Sequence, residues 1–281
     1  AVPTQTGLLL AVALGLSVDQ KRAEDALISR MEADRKQLKT GFVGTPLLCP
    51  TLTAIGRQDL AFALLLNEDY PGWLYEVKLG ATTIWERWNS ILPDGRISGT
   101  EMNSLNHYSY GSVVEWMYRN MAGLHIEEAH PGFTHVTIAP QPDYRITSCA
   151  MKYQSIAGLY EICWNVEKSG EFQLKVTVPF GASAKIVLPN TAKEPIEVPA
   201  GTYEYTYMPE VPIIKIYSSK SPFSELLESE TAMAVVEKFI PEWKAVPTGM
   251  RDMTVLMLND TPFVNLTPEQ IEAFDTHLKN C

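Results

Sequence analysis

The chain has 281 residues, 46% hydrophobic, 10% aromatic and 20% charged. That is ordinary globular composition with room for about two domains. No run approaches the roughly 18 apolar residues a membrane helix needs, and 33 acidic against 23 basic side chains give a formal net charge of −10 without basic runs, so neither a membrane nor nucleic acid is expected as a partner.

The chain opens Ala-Val-Pro-Thr-Gln-Thr (1–6), with no Met and no basic segment before the apolar run 6–16. A secretory leader would want positive charge before such a run and a cleavage site after it. The reading is a buried apolar helix starting near residue 4, in a chain cut from something longer. Residues 20–36 are charged and amphipathic, with Ala23, Ala26, Leu27 and Met31 at helical spacing. Residues 47–55 form a short apolar helix that Gly56 can end, and 59–66 form another. Residues 67–104 are rich in Gly, Pro, Trp, Asn and Asp and lack periodicity. They read as a long loop, a kind of segment that often carries function. Tyr110, Val113, Val114, Met117 and Met121 then share one helix face, stopped by Gly123.

Beyond residue 125 the period changes to two. Residues 135–138 are strand-like. Tyr160, Ile162, Trp164 and Val166 alternate with polar neighbours, as do Phe172, Leu174, Val176 and Val178, and then Tyr203, Tyr205 and Tyr207. Such runs, separated by Gly and Pro turns, predict an antiparallel β-sandwich. From residue 219 the chain is helical again. Leu226, Leu227, Val235, Val236 and Phe239 cluster ahead of Pro241, and Thr-Pro-Glu-Gln (267–270) is a capping-box start for a helix with Ile271, Phe274 and Leu278 on one face. Half of the net charge lies in this last segment. The expected division is therefore 1–124 helical, 125–218 β-sandwich and 219–281 an acidic helical extension.

Cys49, Cys149, Cys163 and Cys281 show no paired spacing. They read as free buried thiols of a reducing, cytoplasmic compartment, not as a zinc or disulfide framework. His125, His130 and His135 stand five apart, which puts alternate residues on opposite faces of a strand, so no metal is expected; no cofactor motif appears either. The Gly-rich turn at 40–46 lacks the lysine of a phosphate loop. Asn259 and Asn265 open matches to the glycosylation pattern, which carry little without a secretory context.

The informative segment is Gly-Ala-Thr-Thr-Ile-Trp-Glu-Arg-Trp-Asn (80–89). A carboxylate beside aromatic surface suits sugar chemistry, because aromatic faces stack on pyranose C–H faces and the carboxylate can orient a water. The competing reading is a Glu86–Arg87 pair on a loop flanked by core tryptophans. A second candidate is Leu-Asn-His-Tyr-Ser-Tyr (105–110), where His107 could donate to a ligand oxygen from the start of the following helix.

Four motifs in order carry a resemblance: Thr-Gly-Phe-Val-Gly-Thr-Pro (40–46), Tyr-Pro-Gly-Trp-Leu-Tyr-Glu-Val (70–77), Gly-Ala-Thr-Thr-Ile-Trp-Glu-Arg-Trp (80–88) and Leu-Asn-His-Tyr-Ser-Tyr-Gly-Ser-Val (105–113). Over residues 4–215 the chain resembles the bacterial α-L-rhamnosidases of glycoside hydrolase family 78, and Ile-Ala-Pro-Gln-Pro (138–142) resembles the start of that family's C-terminal β-sandwich. The resemblance implies an α+β multidomain fold, the C-terminal part of an (α/α)6 barrel followed by an antiparallel β-sandwich and a small helical tail. It implies hydrolysis of terminal α-L-rhamnose from glycosides with inversion, Glu86 as general base, Arg87 and the surrounding backbone orienting it, His107 contacting rhamnose hydroxyls, and Trp85 and Trp88 lining or bracing the pocket.

One departure matters. The family's general acid lies upstream in a segment with Asp, Arg and Glu, and residues 1–79 contain no match to it. A barrel of twelve helices needs roughly 350 residues, and about five helices precede the sandwich. The implied protein is a base-bearing portion that does not hydrolyse rhamnosides alone. Its uncovered apolar helix faces favour homo-oligomers, aggregation or rearranged packing. The alternatives are another (α/α)6-barrel glycosidase such as an α-L-fucosidase, and a non-catalytic carbohydrate-binding module.

Overall fold

The computed structural model describes residues 3–279 and 281. It divides into two compact units, Ala1–Ile213 and Ile214–Cys281, so the helices and the sheets share the first unit.

The first unit opens with helices whose ends follow from their capping residues. α1 (Gln5–Ala13) starts after Thr4, whose Oγ1 accepts from the Gly7 N–H at 3.1 Å. It stops before Leu16, short of the expected end. Gly15 takes φ 62°, and the Gly15 and Leu16 amides donate back to the Val12 and Ala11 carbonyls. That double bond closes the helix with a left-handed residue that glycine adopts without a Cβ penalty. Leu9 and Val12 are buried, while Leu14 and Leu16 are exposed. α2 (Gln20–Ala33) is capped by Asp19 and buries Ala23, Leu27 and Met31, as its spacing predicts. α3 (Thr45–Ala54) starts two residues earlier than expected, because Pro46 sits in the first turn, where its missing N–H costs nothing. α4 (Gln58–Leu65) follows.

Two local readings need correction. The segment 67–104 is not all loop, since α5 (Trp73–Lys78) lies within it and buries Trp73 and Glu76 one turn apart. The second is the helical run before Gly123. It begins with a 3₁₀ turn (Ser109–Ser112), continues as α6 (Val113–Trp116) and ends in a π turn (Met117–Met121). The tight start aligns Tyr110, Val113 and Trp116 at spacing three, and the wide turn then brings in Asn120 and Met121. Trp116 therefore takes the buried place expected of Val114, which is exposed.

The sheets follow in two groups of four. β1 (Leu124–Ile126), β2 (His135–Ile138), β6 (Ser183–Ile186) and β7 (Ile196–Val198) form one, in that order. β3 (Ser148–Ser155), β4 (Gly158–Val166), β5 (Phe172–Val178) and β8 (Gly201–Tyr207) form the other. The predicted alternation holds. Tyr160, Ile162, Trp164 and Val166 on β4, and Phe172, Leu174, Val176 and Val178 on β5, are all buried. One pairing departs from the antiparallel expectation: β2 and β6 run parallel, with His135 opposite Ser183. Strands β3–β5 lie between them in sequence, which supplies the long crossover that a parallel pair requires. The buried polar tips of this core find backbone partners. Trp164 Nε1 donates to the Met121 carbonyl at 2.9 Å, and the Tyr160 hydroxyl to the Phe133 carbonyl at 2.7 Å. Asp143, buried, takes a bidentate pair from Arg145 at 2.6 and 2.7 Å, and Arg145 Nη2 also reaches the Asp59 carbonyl at 2.8 Å.

The cysteines are free, but only Cys49 is fully buried; Cys163 and Cys281 are exposed. The His130 and His135 rings meet edge to face with centroids 5.2 Å apart. Among the described residues no cluster of His, Cys, Asp and Glu could hold a metal ion.

The second unit is helical: α7 (Phe223–Glu228), α8 (Glu230–Phe239), α9 (Val255–Leu258) and α10 (Pro268–Leu278). It has its own core, which includes Phe223, Leu226, Val236, Val255, Leu258 and Phe274. The Thr267–Gln270 capping box forms as read from the sequence. The Asn259 side chain bonds both the amide and the carbonyl of Leu266, at 2.6 and 3.1 Å, so that asparagine serves as a loop clamp.

Candidate active site

The candidate residues sit on two irregular segments that bond to each other. His107 N–H donates to the Ile84 carbonyl at 2.7 Å, Glu86 N–H to the Ser104 carbonyl at 2.9 Å, and the Thr83 hydroxyl to the Leu105 carbonyl. This pairing brings Glu86 and His107, twenty-one positions apart, into one small structure. The intervening loop folds on itself. Asn103 Nδ2 donates to the Gly99 and Ser90 carbonyls at 2.8 and 3.2 Å, and the Ser90 hydroxyl, fully buried, bonds the Arg87 carbonyl at 3.0 Å.

Glu86 is 8% exposed. Its Oε2 accepts from the Ser104 N–H at 2.7 Å, a short charge-assisted bond that fixes the carboxylate. Among the described residues no hydrogen bond is made to Oε1. Arg87 does not perform the orienting role expected of it: its guanidinium turns away and donates to the Glu101 carbonyl. The orienting donor is a backbone amide eighteen residues on, which no local motif announces.

Trp85 and Trp88 are 2% and 7% exposed, so they offer no open face. Trp88 stacks on Tyr110 with centroids 4.0 Å apart, and Trp73 meets Trp88 edge-on at 5.4 Å. Trp73 Nε1 donates to the Tyr110 carbonyl at 2.9 Å. His107, half-buried, stacks on Phe42 at 4.8 Å, and Phe42 itself is exposed. His107 Nδ1 accepts from the Ser109 N–H at 3.3 Å. A neutral ring bonded that way carries its proton on Nε2, which can donate to a ligand oxygen.

A second carboxyl lies beneath this pair of segments. Glu76 on α5 is 3% exposed, and its Oε2 accepts from the Trp85 N–H at 3.4 Å. Its Oε1 is buried without a partner. Burial pushes the Glu76 carboxyl up to about 7, and the Trp85 N–H offsets this only in part. The nearby Tyr110 hydroxyl is raised by burial first and by Glu76 second. Sequence reasoning passed over Glu76 because it lay in a segment without periodicity.

A helical segment followed by a β-sandwich, with a fixed carboxylate among aromatic side chains, has the build of a hairpin-helix glycosidase. The comparisons narrow that class. The family model for the bacterial α-L-rhamnosidase six-hairpin glycosidase domain matches residues 1–121, and that for the bacterial α-L-rhamnosidase C-terminal domain matches residues 123–203. An α-L-rhamnosidase of Streptomyces avermitilis is 40% identical over 202 residues, 71% of this chain and 19% of the relative. One from Formosa agariphila is 39% identical over 197 residues, 69% of this chain and 21% of the relative. Among solved structures, the S. avermitilis α-L-rhamnosidase complexed with L-rhamnose superposes with a TM-score of 0.67 at 37% identity, over 73% of this chain and 22% of that one. Native α-L-rhamnosidase from Aspergillus terreus gives 0.68 at 34% identity, over 73% and 24%. The chain spans about a fifth of the length of the curated relatives it matches. Over residues 1–203 it belongs to the bacterial α-L-rhamnosidase family, and its helices and sandwich are the C-terminal part of that family's (α/α)6 barrel and the sandwich that follows it.

Proposed function

We propose that residues 1–203 form the general-base portion of an inverting α-L-rhamnosidase, with Glu86 as the base and the general acid supplied from outside this chain. The observation that carries the proposal is the Glu86 carboxylate, with Oε2 fixed by the Ser104 amide and Oε1 free of hydrogen bonds among the described residues. In the proposed step Oε1 takes a proton from a water. The water oxygen bonds to the anomeric carbon of a terminal rhamnose on the face opposite the leaving group. The glycosidic C–O bond breaks, and the acid protonates the departing oxygen, so the anomeric centre inverts. His107 donates from Nε2 to a rhamnose hydroxyl, and Trp85 and Trp88 hold the segment rigid behind it.

Glu76 does not serve as the acid. Its Oε1 is sealed from solvent and its Oε2 faces the Trp85 backbone, so neither oxygen reaches a leaving group.

The test is a chimera in which residues 1–203 replace the matching stretch of the S. avermitilis α-L-rhamnosidase. Proton NMR of an aryl α-L-rhamnoside digest is expected to show β-L-rhamnose first. Initial release of the α anomer would overturn inversion. Turnover by the 281-residue chain alone would overturn an external acid. A carbohydrate-binding module would instead give a chimera that binds rhamnose but never cleaves it.

A further inference from the structure

We propose that Glu76 is a positioning residue for Glu86: its buried carboxyl, bonded to the Trp85 amide, fixes the segment that aims the base. The inference rests on the assignment of Glu86 as the base and adds a residue that acts through it.

A buried carboxyl with an unpartnered oxygen is costly, and one that serves only packing would be served better by Leu or Met. Glu76 keeps one productive contact, and it is to the residue immediately before Glu86. Among the described residues, the other hydrogen bonds of segment 83–86 all run to residues 104–107. Glu76 holds it at an amide not engaged in that pairing. The contact comes from a helix braced in turn by the Trp73 bond to the Tyr110 carbonyl. The base is thus set between two supports: Ser104 grips its carboxylate, and Glu76 grips the backbone one residue upstream. The cleft beside Glu76, about 270 Å³, is lined by Trp73, Val77, Ala81, Thr82, Thr83 and Ile84. It contributes no other ionisable side chain, so the carboxyl is expected to hold this bond as the neutral acid below about pH 7, with its carbonyl oxygen toward the amide. The titratable group that feels its charge is the Tyr110 hydroxyl, raised by burial first and by Glu76 second.

The experiment uses the 281-residue chain itself, ¹⁵N-labelled, with amide exchange and pH titration followed by NMR. Glu76→Gln keeps a carbonyl acceptor and stays neutral; Glu76→Met keeps the volume and removes the acceptor. In Glu76→Met the Trp85 and Ser104 amides are expected to exchange at least tenfold faster, while the Val166 amide in the sandwich is unchanged; Glu76→Gln restores native protection. The Trp85 amide resonance is expected to titrate near pH 7 in the native chain and to stay flat in Glu76→Gln. Ser104 protection within twofold of native in Glu76→Met would overturn the proposal. So would a Glu76→Gln variant as unprotected as Glu76→Met, a uniform loss of protection that includes Val166, or a Trp85 resonance that titrates alike in native and Glu76→Gln. None of these readouts uses turnover, so their failure leaves Glu86 as the base untouched, and an active Glu86→Gln enzyme would remove the base without touching the packing result.

Discussion

Replacing Glu76 with Gln is expected to change how stability depends on pH. In the folded chain the Glu76 carboxyl is raised from 4.5 to about 7 by burial. Below pH 4.5 both folded and unfolded chains hold the proton, and the raised value has no effect. Between 4.5 and 7 the unfolded chain releases the proton while the folded chain keeps it. The unfolded state then binds fewer protons, so stability falls as pH rises, and above 7 the loss is constant. Each tenfold difference in proton affinity between the two states is worth about 1.4 kcal/mol, so the loss comes to about 3 kcal/mol. Glu76→Gln has no proton to release. Its stability relative to native is expected to rise by about 3 kcal/mol between pH 4.5 and pH 8. The other carboxylates, including Asp34 and Asp59, which their arginine partners hold low, cancel in that difference. Urea unfolding followed by tryptophan fluorescence measures it, in a Trp243→Phe background so that the five remaining tryptophans, all in the first unit, report alone. A native-minus-variant difference that stays flat across that pH range would refute the reasoning.

Other outcomes follow from the same contacts. Arg145→Ala leaves the buried Asp143 carboxylate without its bidentate partner and is expected to cost the first unit about 3 kcal/mol in the same assay. Thr267→Ala removes one arm of the capping box and is expected to cost the second unit about 1 kcal/mol, read from Trp243 fluorescence, while leaving the first unit unchanged. Gln5→Ala breaks bonds to Asp34, to the Gln37 carbonyl and from the Lys39 amide. A loss of about 2 kcal/mol is expected by urea unfolding.

What could be read from the sequence was what is encoded locally. The period-two runs of β4 and β5 show in every inward residue, because each side chain's face is set by its neighbours. The cap at Thr267 announces its helix because the capping bond spans three residues. α5 was not legible: it has six residues, follows a Gly, and buries a glutamate where amphipathic reasoning expects an apolar side chain. On residues 110–121, Tyr110, Val113 and Met121 are buried as read, but Val114 was misplaced for Trp116 because the 3₁₀ and π turns change the phase of an ideal helix. The β2–β6 pairing joins residues about fifty apart, and no local pattern encodes a parallel register. At the site, the sequence pointed to Glu86, His107, Trp85 and Trp88 but not to what holds them. Arg87 looked like the partner of Glu86 because it is adjacent. The chain bends at Glu86 and Arg87 and turns at Trp88 and Asn89; the Arg87 guanidinium bonds the Glu101 carbonyl, and the Ser104 amide takes the place beside Glu86 through a contact made only by folding.

The most direct test of the account is the kcat of Glu86→Gln on an aryl α-L-rhamnoside, measured in the chimera that carries residues 1–203 in the S. avermitilis enzyme. Loss of a general base is expected to lower kcat by about 10³-fold, with KM changed little. A variant that keeps kcat within about tenfold of the parent chimera would contradict the assignment of Glu86 as the base.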